Sequence, residues 1–227
     1  MSRPGSPVLR LEGVTKTYGT GRDRLRILDG VDLELRRGET TSMMGRSGSG
    51  KSTLIALAAG LLRPDAGRIQ IGGQRTDELD DDARARLRAT RIGIVLQSGN
   101  LVPFLTALEN VELAMAFAPG GRSASRARVL LSGLGLGDRL HHLPRRLAGG
   151  EAQRVAVAVA LANRPSLLLA DEVVGQLDAA TAASVTARIF AASREHDLAV
   201  LFVTHNERLA RRAQRRLRIV ERRVVPA

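Results

Sequence analysis

The stretch Gly45-Arg46-Ser47-Gly48-Ser49-Gly50-Lys51-Ser52-Thr53 holds a glycine, four intervening residues, a second glycine, a lysine and a serine. Glycines at that spacing let successive backbone N–H groups turn inward around phosphate oxygens. A helix beginning near Lys51 would aim the positive end of its dipole at the same point. In such a loop Lys51 reaches the β- and γ-phosphates, Ser52 offers a hydroxyl to Mg²⁺, and Thr53 adds a hydroxyl on the α-phosphate side. A second run, Leu167-Leu168-Leu169-Ala170-Asp171-Glu172, is apolar and ends in two carboxylates. Alone, such a pair reads as a solvated strand end. Beside a phosphate loop it divides into two tasks: Asp171 holds a water of the Mg²⁺ shell, and Glu172 orients and deprotonates an attacking water.

Both runs need a scaffold that brings strand tips together. Thr40–Met44 predicts a short strand feeding the loop, and Lys51–Leu62 a helix leaving it. Further strands are expected at Arg68–Ile71, Ile92–Leu96, Leu167–Ala170 and Ala199–Val203, with a helix over Ala179–Glu195. Partial alternation over Val8–Tyr18 and Leu25–Leu35 predicts half-buried antiparallel strands, and Arg215–Val225 one or two terminal strands. Between Gln97 and Arg164 the stretches Ala107–Phe117, Ser123–Leu134 and Glu151–Ala162 suit helices. The expected fold is α/β: a P-loop NTPase core with a mostly parallel sheet, an N-terminal antiparallel β subdomain and a helical subdomain. It forms one domain over 8–225, with 8–96 and 165–225 as core plus β subdomain, 97–164 helical, and 1–7 a flexible tail.

The chain has 227 residues, enough to bury a core without staples. It has no cysteine, which excludes disulfide scaffolds, Fe–S clusters and thiol catalysis. Met1–Arg10 lacks the apolar stretch of a signal peptide and no apolar run reaches the ~18 residues of a membrane span, so a cytoplasmic location is expected. Lys+Arg 35 against Asp+Glu 23 leave +12, almost all of it arginine, since Lys16 and Lys51 are the only lysines. GC-rich codon usage would produce this excess; so would attraction to phosphates, nucleic acid or an anionic membrane face. Nucleic-acid handling is disfavoured, because Tyr18, Phe104, Phe117, Phe190 and Phe202 are the only aromatics and leave little to stack on bases.

Between the two runs stands Leu147-Ala148-Gly149-Gly150-Glu151-Ala152-Gln153-Arg154, which resembles the signature motif of ATP-binding-cassette ATPases. The other cassette motifs occur in the family order over nearly the whole chain. Tyr18 resembles the aromatic that stacks on adenine, Gln97 the Q-loop glutamine, Gly175-Gln176-Leu177-Asp178 the D-loop, and His205 in Val203-Thr204-His205 the switch histidine. Gln97-Ser98-Gly99-Asn100 with the residues to Asn110, Leu134–Arg139, and the insertion Gly19–Arg24 are similar to the subfamily serving macrolide-export and lipoprotein-release permeases. The resemblance implies a Mg²⁺-dependent ATPase that powers a membrane permease, held through it on the inner face of the cell membrane. It also implies a second ATPase subunit, identical or different, packed head to tail, so that Ala148, Gly149, Gly150 and Glu151 of one subunit cover ATP on the loop of the other. Gln97 would join Ser52 and Asp171 around the metal and report occupancy to the permease, with no specific role for nucleic acid. An alternative is a cassette ATPase that drives an envelope-remodelling or cell-division membrane protein without carrying a substrate.

The chain departs from the family pattern in three places. Ala148 stands where the signature has serine, Val173-Val174 where Pro-Thr is usual after the glutamate, and Val159 where the following helix commonly carries arginine. The loss at Ala148 is the most consequential, since a hydroxyl bonded to a charged phosphate is worth about 1.5–3 kcal/mol.

Overall fold

The computed structural model describes residues 7–96, 101–173 and 179–227. In chain order the elements are β1 (Leu9–Tyr18), β2 (Leu25–Leu35), β3 (Thr40–Met44), α1 (Lys51–Ala58), β4 (Ala66–Ile71), β5 (Gln74–Arg75), α2 (Asp81–Arg91) and β6 (Ile92–Val95). They continue with α3 (Ala107–Ala116), α4 (Ala124–Gly133), α5 (Gly149–Leu161), β7 (Leu167–Asp171), α6 (Ala179–Glu195), β8 (Ala199–Val203), α7 (Glu207–Ala210), β9 (Arg215–Val220) and β10 (Arg223–Pro226).

The central sheet has the order β10-β9-β3-β8-β7-β6, parallel throughout except for the terminal β9–β10 hairpin. Strands β7 and β8 read as nearly continuous apolar runs because both faces are covered, whereas β3 between β9 and β8 buries Thr40, Thr41 and Ser42. The pleat sorts β7 between two cores. Leu167 and Leu169 pack with β1, β2, β3 and α1, whereas Leu168 and Ala170 pack with α3, α4, α5 and α6. The second sheet, β2-β1-β4-β5, is antiparallel.

Register decides where the chemistry falls. Met43 pairs with Val203 and Val203 with Asp171, so the C-terminal ends of β3, β7 and β8 lie side by side. The phosphate loop, the two carboxylates and Thr204-His205 therefore leave the sheet from one edge, as ligand sites in open α/β sheets do.

Several elements differ from the sequence expectation, among them the short β5 and α7, which were not expected. The helix after the loop ends at Ala58, not Leu62, because Gly60 takes a left-handed φ of +65° and Leu61 N and Leu62 N both turn back to Ala56 O. The signature helix begins at Gly149, ahead of the expected Glu151, since Ala148 O already accepts from Ala152 N at 2.9 Å. Helix α2 was not expected: it buries only Leu87 and so lacks an apolar stripe, and its start is set by Asp80, whose carboxylate accepts from Ala83 N at 2.7 Å. Among the described residues no helix is long and apolar enough to cross a membrane.

Candidate functional site

The phosphate loop is shaped by two glycines whose missing side chains matter. Gly50 precedes α1 with φ +100°, and a Cβ there would fall 2.9 Å from Ile27 Cγ2 and 3.1 Å from Leu28 Cδ2. A Cβ on Gly45 would fall 2.6 Å from Ser49 Oγ. The loop thus curls tightly, with its far end pressed on β2. Lys51 is 7% exposed, and its Nζ donates to Gly45 O and Arg46 O, each at 2.9 Å. Helix α1 has no acidic residue in its first turn and no side-chain cap. Its leading N–H groups, which no helix can satisfy internally, are left for an anion. Arg46, Ser47 and Gly48 are exposed around the mouth, and Thr53 is half-buried.

Ser52 Oγ donates to Asp171 Oδ2 at 2.9 Å, joining the start of α1 to the tip of β7. One residue on, Glu172 has a left-handed φ of +53°, uncommon for a residue with a side chain, and its N–H donates to Val203 O at 3.1 Å. That bond ties the glutamate to the end of β8. His205 follows from the same end, held by Thr204, whose N–H donates to Met43 O at 3.2 Å and whose Oγ1 accepts from Asn206 N at 3.0 Å. His205 Nε2 lies 3.3 Å from Glu172 Oε1, a close approach without the alignment of a hydrogen bond, so Oε1 has no hydrogen-bond partner among the described residues. A carboxylate oxygen shielded from water and lacking a donor is poised to accept one from a reactant.

Tyr18 ends β1 opposite Leu25 of β2, and two residues farther along β2 is Ile27, the side chain against Gly50. The ring is 43% exposed, with Lys16 Nζ 5.9 Å from its centroid. Sequence reasoning missed what fixes this strand end. Asp65 accepts from Lys16 Nζ at 2.9 Å and from Thr17 N at 2.6 Å. The Lys16 ammonium, then the Thr17 N–H, holds its carboxyl below the usual aspartate range. The only sequence signal was its place after Pro64 in a turn.

Ala148–Glu151 stands apart from this cluster. Ala148 and Gly149 are exposed at the start of α5, Gly150 is half-buried, and Glu151 Oε2 accepts from Ala148 N at 3.0 Å. Alanine offers no acceptor in return, so half of a reciprocal cap forms. Arg139 Nε donates to Glu151 Oε1 at 2.8 Å, a partner that sequence reasoning did not assign. The Ala148 N–H, then Arg139, keeps the Glu151 carboxyl below its ordinary range. Val173 is buried in the core beside α5 and α6, which gives this departure a packing role. Val159 is half-buried against the same core. Gln97, Val174 and Gly175–Asp178 lie outside the described residues.

A family model described as ABC transporter matches residues 28–175, spanning the loop, the signature helix and the carboxylate pair. The chain belongs to the ABC transporter family. Among similar ABC transporter proteins is the ATP-binding protein YbbA of Escherichia coli K12, 45% identical over 219 residues that make up 96% of each chain. The lipoprotein-releasing system ATP-binding protein LolD of Granulibacter bethesdensis is 46% identical over 229 aligned residues, 100% of each chain. A dimeric ATP-binding cassette, MJ0796, solved in a post-hydrolysis state with ADP and Pi, superposes with a TM-score of 0.90 at 38% identity, covering 95% of this chain and 96% of that one.

Proposed function

We propose that this ABC cassette binds and hydrolyses ATP to power a membrane permease, in an export or lipoprotein-handling system at the inner face of the cell membrane. The observation that carries this reading is the convergence of Lys51, Ser52, Asp171, Glu172 and His205 on one sheet edge, in a chain 46% identical to a LolD over its full length. A second cassette subunit completes the assembly, as in the dimeric relative.

Each side chain takes a task its surroundings suit. Lys51 exchanges the Gly45 and Arg46 carbonyls for oxygens of the β- and γ-phosphates, while N–H groups at the start of α1 receive the rest of the chain of phosphates. Tyr18 presents its exposed face to adenine. Glu172 accepts a proton from a water whose oxygen attacks the γ-phosphorus, and the bond to the bridging oxygen breaks to release ADP. His205 steadies the γ-phosphate beside that carboxylate. Gly149 and Gly150 close over the nucleotide of the partner subunit. Gln97 links the occupied site to the permease, and Asp178 lies in the segment that would join the two subunits.

The donor set suits Mg²⁺: a hydroxyl and a carboxylate oxygen already share a hydrogen bond, and both are hard oxygen ligands. Ser52 and Asp171, with Gln97, would hold the ion, which when bound neutralises charge on the β- and γ-phosphates.

Glu172→Gln tests the assignment. In the complex with its permease the variant should retain ATP while turnover falls about 10²- to 10⁴-fold, the range for loss of a general base. Turnover at the parent rate would remove Glu172 from that role.

A further inference from the structure

At the opposite edge of the central sheet, where β3, β6 and β7 begin, the surface is basic. A cavity of about 510 Å³ there is lined by Arg37, Arg91, Arg126, Arg164 and His196, with Thr90, Asn163 and Ser166 adding polar groups and no carboxylate among its lining residues. Arg37, Arg91 and Arg164 have no acidic side chain within salt-bridge distance among the described residues. Arg126 uses one guanidinium nitrogen on Ala162 O at 2.9 Å. The contrast with another groove is sharp. A cavity of about 890 Å³ beside β1 and β2 shares Arg37 and also holds Arg10, Arg36 and Arg215, but Glu12, Asp32, Glu34 and Glu39 line it too, and Arg10 pairs with Glu34 at 2.8 Å and Arg215 with Glu39 at 3.5 Å, so arginines there face carboxylates.

The basic cavity adjoins an apolar one. Arg126, Arg164, Pro165 and His196 also line a second cavity of about 740 Å³, whose remaining wall is mainly apolar: Met115, Val129, Leu130, Leu161 and Leu198 are prominent in it. Val129 is 74% exposed although it faces this groove. Arg164, at the junction, occupies the turn after α5 with a left-handed φ of +49°, a position that ordinarily favours glycine. An arginine therefore stands where the backbone conformation disfavours a side chain.

From this juxtaposition we propose that the seam between α4, the end of α5 and the end of α6 binds an anionic amphiphile. The arginine cup takes its phosphate or carboxylate head, and the adjoining groove takes its alkyl chain. Guanidinium groups without internal partners bind such heads through charge-assisted hydrogen bonds. The groove supplies the gain from removing methylenes from water. The site is separate from the nucleotide edge, lying at the starts of strands whose ends carry the phosphate loop and Asp171. The ligand is either a free single-chain lipid or the headgroup and chain of a bilayer lipid, and the two sources are experimentally separable.

Calorimetric titration of the full chain with dodecyl phosphate, below the concentration at which it forms micelles, is the test. Dodecyl phosphate should bind at one site at least about tenfold more tightly than inorganic phosphate, because burial of about two methylenes already yields that factor. Dodecyltrimethylammonium should not bind there. The double variant Arg91→Gln/Arg164→Gln should lose about tenfold or more in affinity, Val129→Ser should weaken dodecyl phosphate but not inorganic phosphate, and Arg68→Gln/Arg216→Gln, on exposed strand faces, should change neither. ATP affinity measured on every variant separates loss of this site from loss of fold. Phosphatidylglycerol vesicles that recruit the parent chain but not Arg91→Gln/Arg164→Gln would identify bilayer lipid as the source, and dodecyl phosphate binding without recruitment a free lipid. Unchanged dodecyl phosphate affinity in the double variant, or equal affinity for inorganic phosphate, would overturn the proposal.

Discussion

Helix α1 starts after a glycine-rich loop and α5 opens on Gly149 and Gly150, yet their first turns are built in opposite ways. Helix α1 has no acidic residue and no side-chain cap, and it places Lys51 where a cation is useful. Helix α5 has Glu151 in its first turn, bonded to Ala148 N and to Arg139. A helix end reserved for a highly charged anion must leave its own donors unsatisfied. An end with a carboxylate of its own satisfies part of that need internally, as Glu151 does at α5. The difference separates an end that is incomplete without a ligand from one that is nearly complete without it.

The largest effect is expected at α1. Lys51→Ala removes the only cation in the turn and should lower ATP affinity about 10- to 150-fold, the range for a hydrogen bond to a charged group. Calorimetry on the isolated chain checks this, and unchanged affinity would place the phosphates elsewhere. The next effect belongs to α5. Helix α3 shows what a complete cap looks like: Thr106 Oγ1 accepts from Glu109 N at 3.2 Å while Glu109 Oε2 accepts from Thr106 N at 2.7 Å. Ala148→Ser supplies the missing acceptor and should stabilise the chain by about 0.5–2 kcal/mol in denaturant unfolding. The same variant in the permease complex should raise ATP turnover where both composite sites use this helix. Unchanged turnover would instead indicate pairing with a different cassette subunit. A fall would show that Ala148 belongs to an interface of another shape.

The smallest effect is electrostatic. The Ala148 N–H and Arg139 depress the Glu151 carboxyl in the folded chain, so its stabilising contribution is full above the unfolded value, about 4.3. That contribution is lost as pH falls through the folded value. Parent and Glu151→Gln should therefore differ in stability by under about 1 kcal/mol at neutral pH and converge in acid. A gap that widens with acidification would contradict this.

What was legible in the chain followed from how much each feature depended on local pattern. Leu167–Asp171 and Ala199–Val203 could be read because a strand covered on both faces has little choice but to be apolar. The phosphate loop could be read because its geometry needs glycine at particular places, and Gly45 and Gly50 are where a Cβ would collide. Helix α2 was invisible, since one buried leucine gives no periodicity and its order rests on Asp80 and on charge placed along its dipole. Asp65 and Arg139 were equally hidden. Asp65 bonds Lys16, 49 residues away in sequence, and Arg139 bonds Glu151 across the turn before α5. Pairings of that kind become apparent only once sheet register and helix packing are known.

The scarcity of lysine has a practical consequence for chemical labelling. The chain's two ε-amines are both sequestered: Lys51 is 7% exposed and bonded to loop carbonyls, and the Lys16 side chain is 15% exposed and bonded to Asp65 and to Arg63 O. Apart from the α-amine of the chain, an acylating reagent meets only these two amines, one in the phosphate loop and one at the end of β1 beside Tyr18. The extent of acylation at each, followed by mass spectrometry with and without ATP, reports separately on the phosphate loop and on the strand that carries Tyr18, with no engineered probe in the molecule.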